Sequence, residues 1–293
     1  MLESRLSPNR LLPLLLAALA SAQVQAGDFT IELGGFYSQS DSNMQVTNPS
    51  TGNNFTLDYE SDLQLAENKF LPFVELNYHF NERHNIYFDW KQLHRSAETL
   101  ALSKPFQIEI NDTIYDIKAG GKLNSTLNID ILRLGYGYDV FQGSNYDVGV
   151  SLGLHTMFIK MGFEGVIGVC DASELLNNVC GSQAIPRIVD ESVTAPLPDI
   201  GLYANYEFTP GWELTSHAQY FYIKLDDVKG ELVDVKLGID AQITSSWRMS
   251  VAYNYYKVDV DIAQKSAYKD TQVANYNINY SFIGPMLSVS YTF

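Results

Sequence analysis

Leu287-Ser288-Val289-Ser290-Tyr291-Thr292-Phe293 alternates without exception. In an extended chain Leu287, Val289, Tyr291 and Phe293 fall on one side, and Ser288, Ser290 and Thr292 on the other. The same two-residue period recurs upstream. Phe29, Ile31, Leu33 and Tyr37 oppose Thr30, Glu32, Gly34 and Ser38; Val148, Val150, Leu152 and Leu154 oppose Asp147, Gly149, Ser151 and Gly153; Val233, Val235, Leu237 and Ile239 oppose Asp234, Lys236, Gly238 and Asp240. Ten such stretches can be counted. Carboxylates and bases repeatedly share the face of Gly and Ser, in numbers that the core of a water-soluble sandwich would not accept. The polar face is therefore expected to be the inside.

Composition agrees. The chain has 293 residues, 46% hydrophobic and 13% aromatic, with only 18% charged and a net charge of -15. It is too apolar for a disordered chain and too acidic for a general nucleic-acid binder. Arg5 and Arg10 precede the apolar run 11–20, and Val24-Gln25-Ala26 has the small-x-small form of a cleavage site. Residues 1–26 are expected to be a signal peptide and 27–293 one exported domain. The run of ten is too short for a membrane span, which needs about 20 residues. No other run approaches that length, which leaves a soluble exported protein or a membrane β-barrel.

Connection lengths give the topology. Four joints are short and polar, at 81–84, 142–145, 209–211 and 244–246, and two of them lead into Trp212 or Trp247 as an interfacial aromatic girdle requires. These read as periplasmic turns. The alternate joints include three long extracellular loops near 39–67, 97–124 and 163–194, a tight one near 226–229 and a medium one near 263–275. The expected fold is an all-β, transmembrane antiparallel β-barrel of about ten strands. Eight would discard a clear hairpin, and twelve would promote loop segments. The segment 106–117 alternates around Asn111-Asp112 and reads as a hairpin standing above the membrane.

The inferred interior is charged. Glu75, Asp89, Asp234 and Asp240, with Glu32, Asp130, Asp199, Glu207 and Glu213, face Lys91, Arg133, Lys236 and Arg248. Such groups fit either a filled lumen of salt bridges and water or a narrow polar, porin-like conduit whose carboxylate excess favours cations. Lys236 and Arg248, on adjacent strands, are expected to anchor one paired network. Pro196, Pro198 and Pro285 mark places where a strand could kink and open a lateral gap, as a carrier of a small hydrophobic molecule would need. Ser216 and His217 point to opposite faces of a strand and form no dyad. His155 and His217 both point inward. No zinc spacing or phosphate loop is visible, and no cofactor is expected.

Cys170 and Cys180 fall in the third long loop and are expected to form a disulfide there, on the oxidising side of the inner membrane. Between them, 171–178 could form a helical turn or two, capped by Asp171. The first loop carries Asp41, Asp58, Glu60, Asp62 and Glu67 with neither Lys nor Arg between 41 and 67. If 58–62 is extended, three carboxylates share one side, which gives either a solvated acidic loop or a divalent-cation site.

The terminal alternation of Leu287, Val289, Tyr291 and Phe293, joined to an export signal, resembles the small outer-membrane β-barrels of Gram-negative bacteria, the broad group of OmpA-type membrane domains and OmpW-like barrels. The resemblance covers the whole of 27–293. It implies the outer membrane as location, the barrel-assembly machinery as a partner recognising that terminal signal, contact with outer-membrane lipid and lipopolysaccharide, and no nucleic acid. It carries no catalytic residues. Size and strand count also look like the omptin proteases, whose acid and His groups sit at the extracellular rim. Here the rim His is mainly His94, and no paired Asp-Asp and Asp-His pattern accompanies it. The expected function is a non-enzymatic surface or structural barrel with a narrow permeability; the alternatives are an outer-membrane hydrolase and a hydrophobic carrier.

Overall fold

In a computed structural model the described residues are 28–47, 52, 54–102, 104–110, 113–170, 184–225, 228–265 and 272–293. The expected signal peptide lies outside them. Among them the strands are β1 (Phe29–Thr47), β2 (Asn54–Asp58), β3 (Asn68–His79), β4 (His84–Thr99), β5 (Phe106–Ile110), β6 (Thr113–Ile117), β7 (Leu123–Gln142), β8 (Tyr146–Cys170), β9 (Ile185–Thr209), β10 (Trp212–Leu225), β11 (Val228–Gln242), β12 (Trp247–Lys265) and β13 (Gln272–Thr292). Ten of these, β1, β3, β4 and β7 to β13, pair antiparallel in a closed ring. Closure joins β13 to β1, with Thr292 opposite Thr30 and the Phe293 amide donating to the Phe29 carbonyl at 3.0 Å. The barrel and its ten strands agree with the sequence reading, and so do the four short turns. β5 and β6 pair antiparallel, as the sequence reading expects of a hairpin there, and β6 is attached to the ring through Ile114 opposite Cys170.

The three long loops need correction, because the strands continue far into them. β1 runs to Thr47, β4 to Thr99, β8 to Cys170, and β9 starts at Ile185. The inside-outside rule changes along the way. On β1, Ile31 and Leu33 face out and Glu32 faces in, whereas higher up Gln39, Asp41 and Asn43 face out and Met44 and Val46 face in. On β7, Leu134 and Tyr136 face out near the short turns, but Asn124, Thr126 and Asn128 replace them above, over buried Leu127 and Ile129. The cause is the surrounding medium: lipid rewards an apolar exterior, and above the lipid, water rewards an apolar interior. The wall thus rises past the apolar belt into a tower. Its core includes Val46, Leu57, Ile129, Met157, Ile167 and Leu232, all sealed from solvent.

Prolines decide where the wall parts. The Glu207 amide donates toward β8, to Asn145, so odd residues of β9 bond to β8 and even ones face β10. Pro196 and Pro198 face β10 and have no N–H to give. The β9–β10 ladder accordingly stops at Ile200 opposite Tyr220, while the β8–β9 ladder continues to Ile185. By the same parity Pro72 faces β4, and that ladder stops at Phe73 opposite Lys91. Residues of the β1–β3 connection close the resulting gap: Thr99 Oγ1 donates to Leu63 O at 2.8 Å. Pro285 faces β1, where pairing skips Tyr37 and Ser38. Phe36, Phe282, Met286 and Leu197 are buried behind these breaks, so the interior beside them is packed.

Candidate functional site in the lumen

The lower lumen holds a polar cavity of about 320 Å³, lined by residues from the end of the barrel that carries the short turns. Above it lies a layer of paired charges. Arg133 on β7 is its centre: Nε meets Asp89 on β4, Nη1 donates to Gln219 Oε1 at 2.8 Å and lies 3.3 Å from His217 Nδ1, and the guanidinium sits 4.7 Å from the centre of the Tyr87 ring. Lys236 reaches both oxygens of Glu75 at 3.2 and 3.3 Å. Lys91 lies 3.9 Å from Asp234, which also accepts from Asn254 Nδ2 at 2.6 Å. His155 Nδ1 is 3.0 Å from Asp199. Glycines make the room: a Cβ at Gly135 would fall 2.1 Å from the Tyr87 ring, and one at Gly153 2.6 Å from the Asp199 carboxylate. Tyr87 and Asp199 thus need glycine on the neighbouring strand.

The eight inferred network residues fall into two groups. Glu75, Asp89, Lys91, Arg133, Asp234 and Lys236 form the upper layer. Arg248 and Asp240 sit lower, at the mouth, where Arg248 Nη1 lies 2.9 Å from Glu213 and 3.6 Å from Asp240. Lys236 and Arg248 therefore do not share their acids, contrary to expectation, and the Arg248 side chain is 44% exposed. Asp130 is a second correction. It lies in the opposite phase from Arg133, faces outward and sits 3.2 Å from His94 Nε2 on the outer wall. His155 and His217 both point inward, each toward a different charged neighbour. Among the described residues no group of three or more His, Cys, Asp or Glu is arranged to hold a metal.

The acidic first loop is also reorganised. Residues 58–62 turn instead of extending: Asp62 N donates to Asp58 O at 3.0 Å and Ser61 N to Asp58 Oδ1 at 2.7 Å. Glu60 points inward to Arg95 and accepts from Ser42 N at 2.9 Å. Asp62 takes Lys104 at 3.0 Å. The three carboxylates are therefore not arrayed on one side. Arg95, only 1% exposed, went unread in the sequence; it also donates to Ser42 Oγ at 2.7 Å. It shares the phase of Lys91 and Leu93, so continuing the two-residue count past 91 would have placed it inside. Beside it, burial and then the neighbouring Tyr280 hold the Tyr59 hydroxyl well above the ordinary tyrosine range.

Cys170 ends β8, buried, with Gln107 Nε2 at 3.9 Å from its sulfur. Cys180 and the expected turn at 171–178 lie outside the described residues. At the barrel seam the Phe293 ring lies 5.8 Å from Phe29 and 4.8 Å from Tyr291. Leu287 and Val289 face lipid on the same side.

No protein-family model and no curated protein sequence matches this chain. Among solved structures it is similar to the outer membrane protease OmpT from Escherichia coli, with a TM-score of 0.55 and 11% identity over 92% of this chain and 99% of that one. Two others align with TM-scores of 0.34 and 10% identity: the P. putida toluene transporter TodX, over 94% of this chain and 91% of its own, and OprG from Pseudomonas aeruginosa, over 92% and 97%. At these identities the likeness is one of fold. The fold shared with the protease is a closed antiparallel β-barrel, here with an apolar exterior belt.

Proposed function

We propose that this is a non-enzymatic, non-conducting barrel whose membrane base holds up a rigid extracellular tower, with a surface or structural role. The observation that carries the reading is the continuous apolar core above the charge layer. An ion that entered from the periplasm would have to pass Arg133 and its partners and then cross a packed region around Ile129, Met157 and Leu232. A dry constriction of this kind blocks ions even where carboxylates attract them. The excess of acids therefore favours cations at the mouth without giving them a path. Against hydrolysis, the His94–Asp130 pair stands on the outer wall, and the His155–Asp199 pair is sealed within the lumen. Outer-membrane lipid and lipopolysaccharide are the expected neighbours of the belt and of the outward polar residues above it. Proteoliposomes carrying the refolded chain should retain a trapped small dye as well as protein-free vesicles do. Release scaling with protein content would refute the non-conducting reading.

A further inference from the structure

We propose that the upper edge of β9 is a docking site for a partner protein, which adds an extended, proline-free segment to the sheet as an antiparallel strand. β9 outgrows its neighbour. Continuing the register of Ile200 with Tyr220 sets Leu225, the end of β10, level with Ala195. Residues 185–194 therefore rise past β10 while still paired to β8, up to Ile185 opposite Ile167. By the parity set out above, Ile188, Asp190, Ser192 and Thr194 turn their N–H and C=O groups away from β8. Among the described residues no strand pairs with them on that side. Pro186 and Pro196 bound this run and do not interrupt it. A row of open backbone donors and acceptors is a template for strand addition.

Side-chain exposure points independently to a missing neighbour. Val193 shares the inward phase of Val189 and Leu197, both buried, yet it is 52% exposed. An apolar side chain on the inner face stays open to water where no strand lies beside it. On the outer face Ile188 is 74% exposed and the Asp190 side chain 60%. These surroundings describe the occupant. Its inner side chains are apolar, to pack on Val193, and its outer ones are polar with a base to meet Asp190, in keeping with the net charge of -15. A second copy fits less well: two copies in one membrane stand the same way up, so their β9 edges cannot meet antiparallel. The proposal takes from the surface role only that the partner arrives from outside the cell; strand addition itself does not depend on that role.

The test uses the full exported chain refolded into lipid nanodiscs, by titration calorimetry and amide hydrogen exchange. The probe is a peptide in which Val alternates with Lys and Thr, long enough to span 187–195. The expected result is saturable 1:1 binding that slows exchange at Ile188, Asp190, Ser192 and Thr194 and leaves the amides of Val189, Glu191 and Val193, which face β8, as they were. Ser192→Pro removes one edge donor without touching the β8 ladder and should weaken binding about tenfold or more, whereas Ser192→Ala should bind as wild type does. Where Ser192→Pro does not refold, the same peptide N-methylated along the edge that meets β9 takes its place and should not bind. Absence of saturable binding, slowed exchange elsewhere, binding of the methylated peptide, unchanged affinity in Ser192→Pro, or equal slowing of the four amides by self-association without peptide would each overturn the proposal. Binding in nanodiscs together with no access to the tower from outside intact cells would overturn the surface role and leave the docking edge standing.

Discussion

Replacing Arg133 with Met removes the central charge of the lumen while keeping an unbranched stem of similar length. Asp89, 1% exposed, would lose its base, and Gln219 Oε1 would lose its donor. Breaking one side of a buried pair costs about 3–5 kcal/mol. Asp89 and Arg133 border the polar cavity below, so the lower end applies, about 3 kcal/mol, or roughly a hundredfold in the ratio of folded to unfolded protein. Arg248→Ala removes the same charge from a site that is 44% exposed, where screening reduces a pair to about 0–1 kcal/mol. Val235→Leu, on the lipid face, should stay within about 0.5 kcal/mol. Equilibrium urea unfolding in lipid vesicles, followed by tryptophan fluorescence, separates the three. Removing Asp89 as well, in Arg133→Met with Asp89→Leu, should recover part of the loss, because the stranded carboxylate is then gone. An Arg133→Met midpoint equal to wild type, or a larger loss in Arg248→Ala than in Arg133→Met, would refute the division into a buried layer and a screened mouth.

Further perturbations probe other parts of the molecule. Arg95→Met should free the β1–β3 connection while leaving the base intact, and chymotrypsin should then cut after Tyr59 faster than in wild type; equal cleavage would argue against Arg95 as the tether. Because the Tyr59 hydroxyl titrates above its unfolded value, its contribution is full below about pH 10 and is lost as pH rises through the folded value, so alkaline loosening of the tower should diminish in Tyr59→Phe. An unchanged alkaline profile of protease sensitivity would exclude it. Deleting Phe293 removes both the closing hydrogen bond to Phe29 and the terminal aromatic, and should reduce heat-modifiable protein in the outer membrane; normal levels would argue against an assembly signal there. Cys170 and Cys180 should resist alkylation until reduced, and ready labelling of both in protein extracted without reductant would exclude the disulfide.

The lower barrel was legible because alternation there obeys one rule. Leu287 to Phe293, Val148 to Leu154 and Val233 to Ile239 each face lipid on one side and a polar lumen on the other, so period and phase could be read together. The tower was misread because its alternation is just as regular and only its sign changes. Leu127, Ile129 and Ile131 alternate with Asn128 and Asp130 in the phase opposite to Leu132 and Leu134, and that reversal marks where lipid gives way to water. Asp130 is expected inside, yet its phase relative to Arg133 places it outside. The acids of the lumen were identifiable one by one, but their partners were not. Which base meets which acid depends on ring closure: Lys236 and Glu75 are 161 residues apart. Glu60 and Arg95 meet beyond the point where the β3–β4 ladder ends at Phe73 and Lys91, where the β1–β3 connection folds inward.

Single-channel recording of the full exported chain in planar lipid bilayers tests the sealed tower most directly. A core packed around Ile129, Met157 and Leu232 should give no conductance steps at either polarity, in wild type and in Arg248→Ala alike. Steady cation-selective steps in the wild type, altered by Arg248→Ala, would contradict it, because ions would then be crossing the region that the apolar core is held to close.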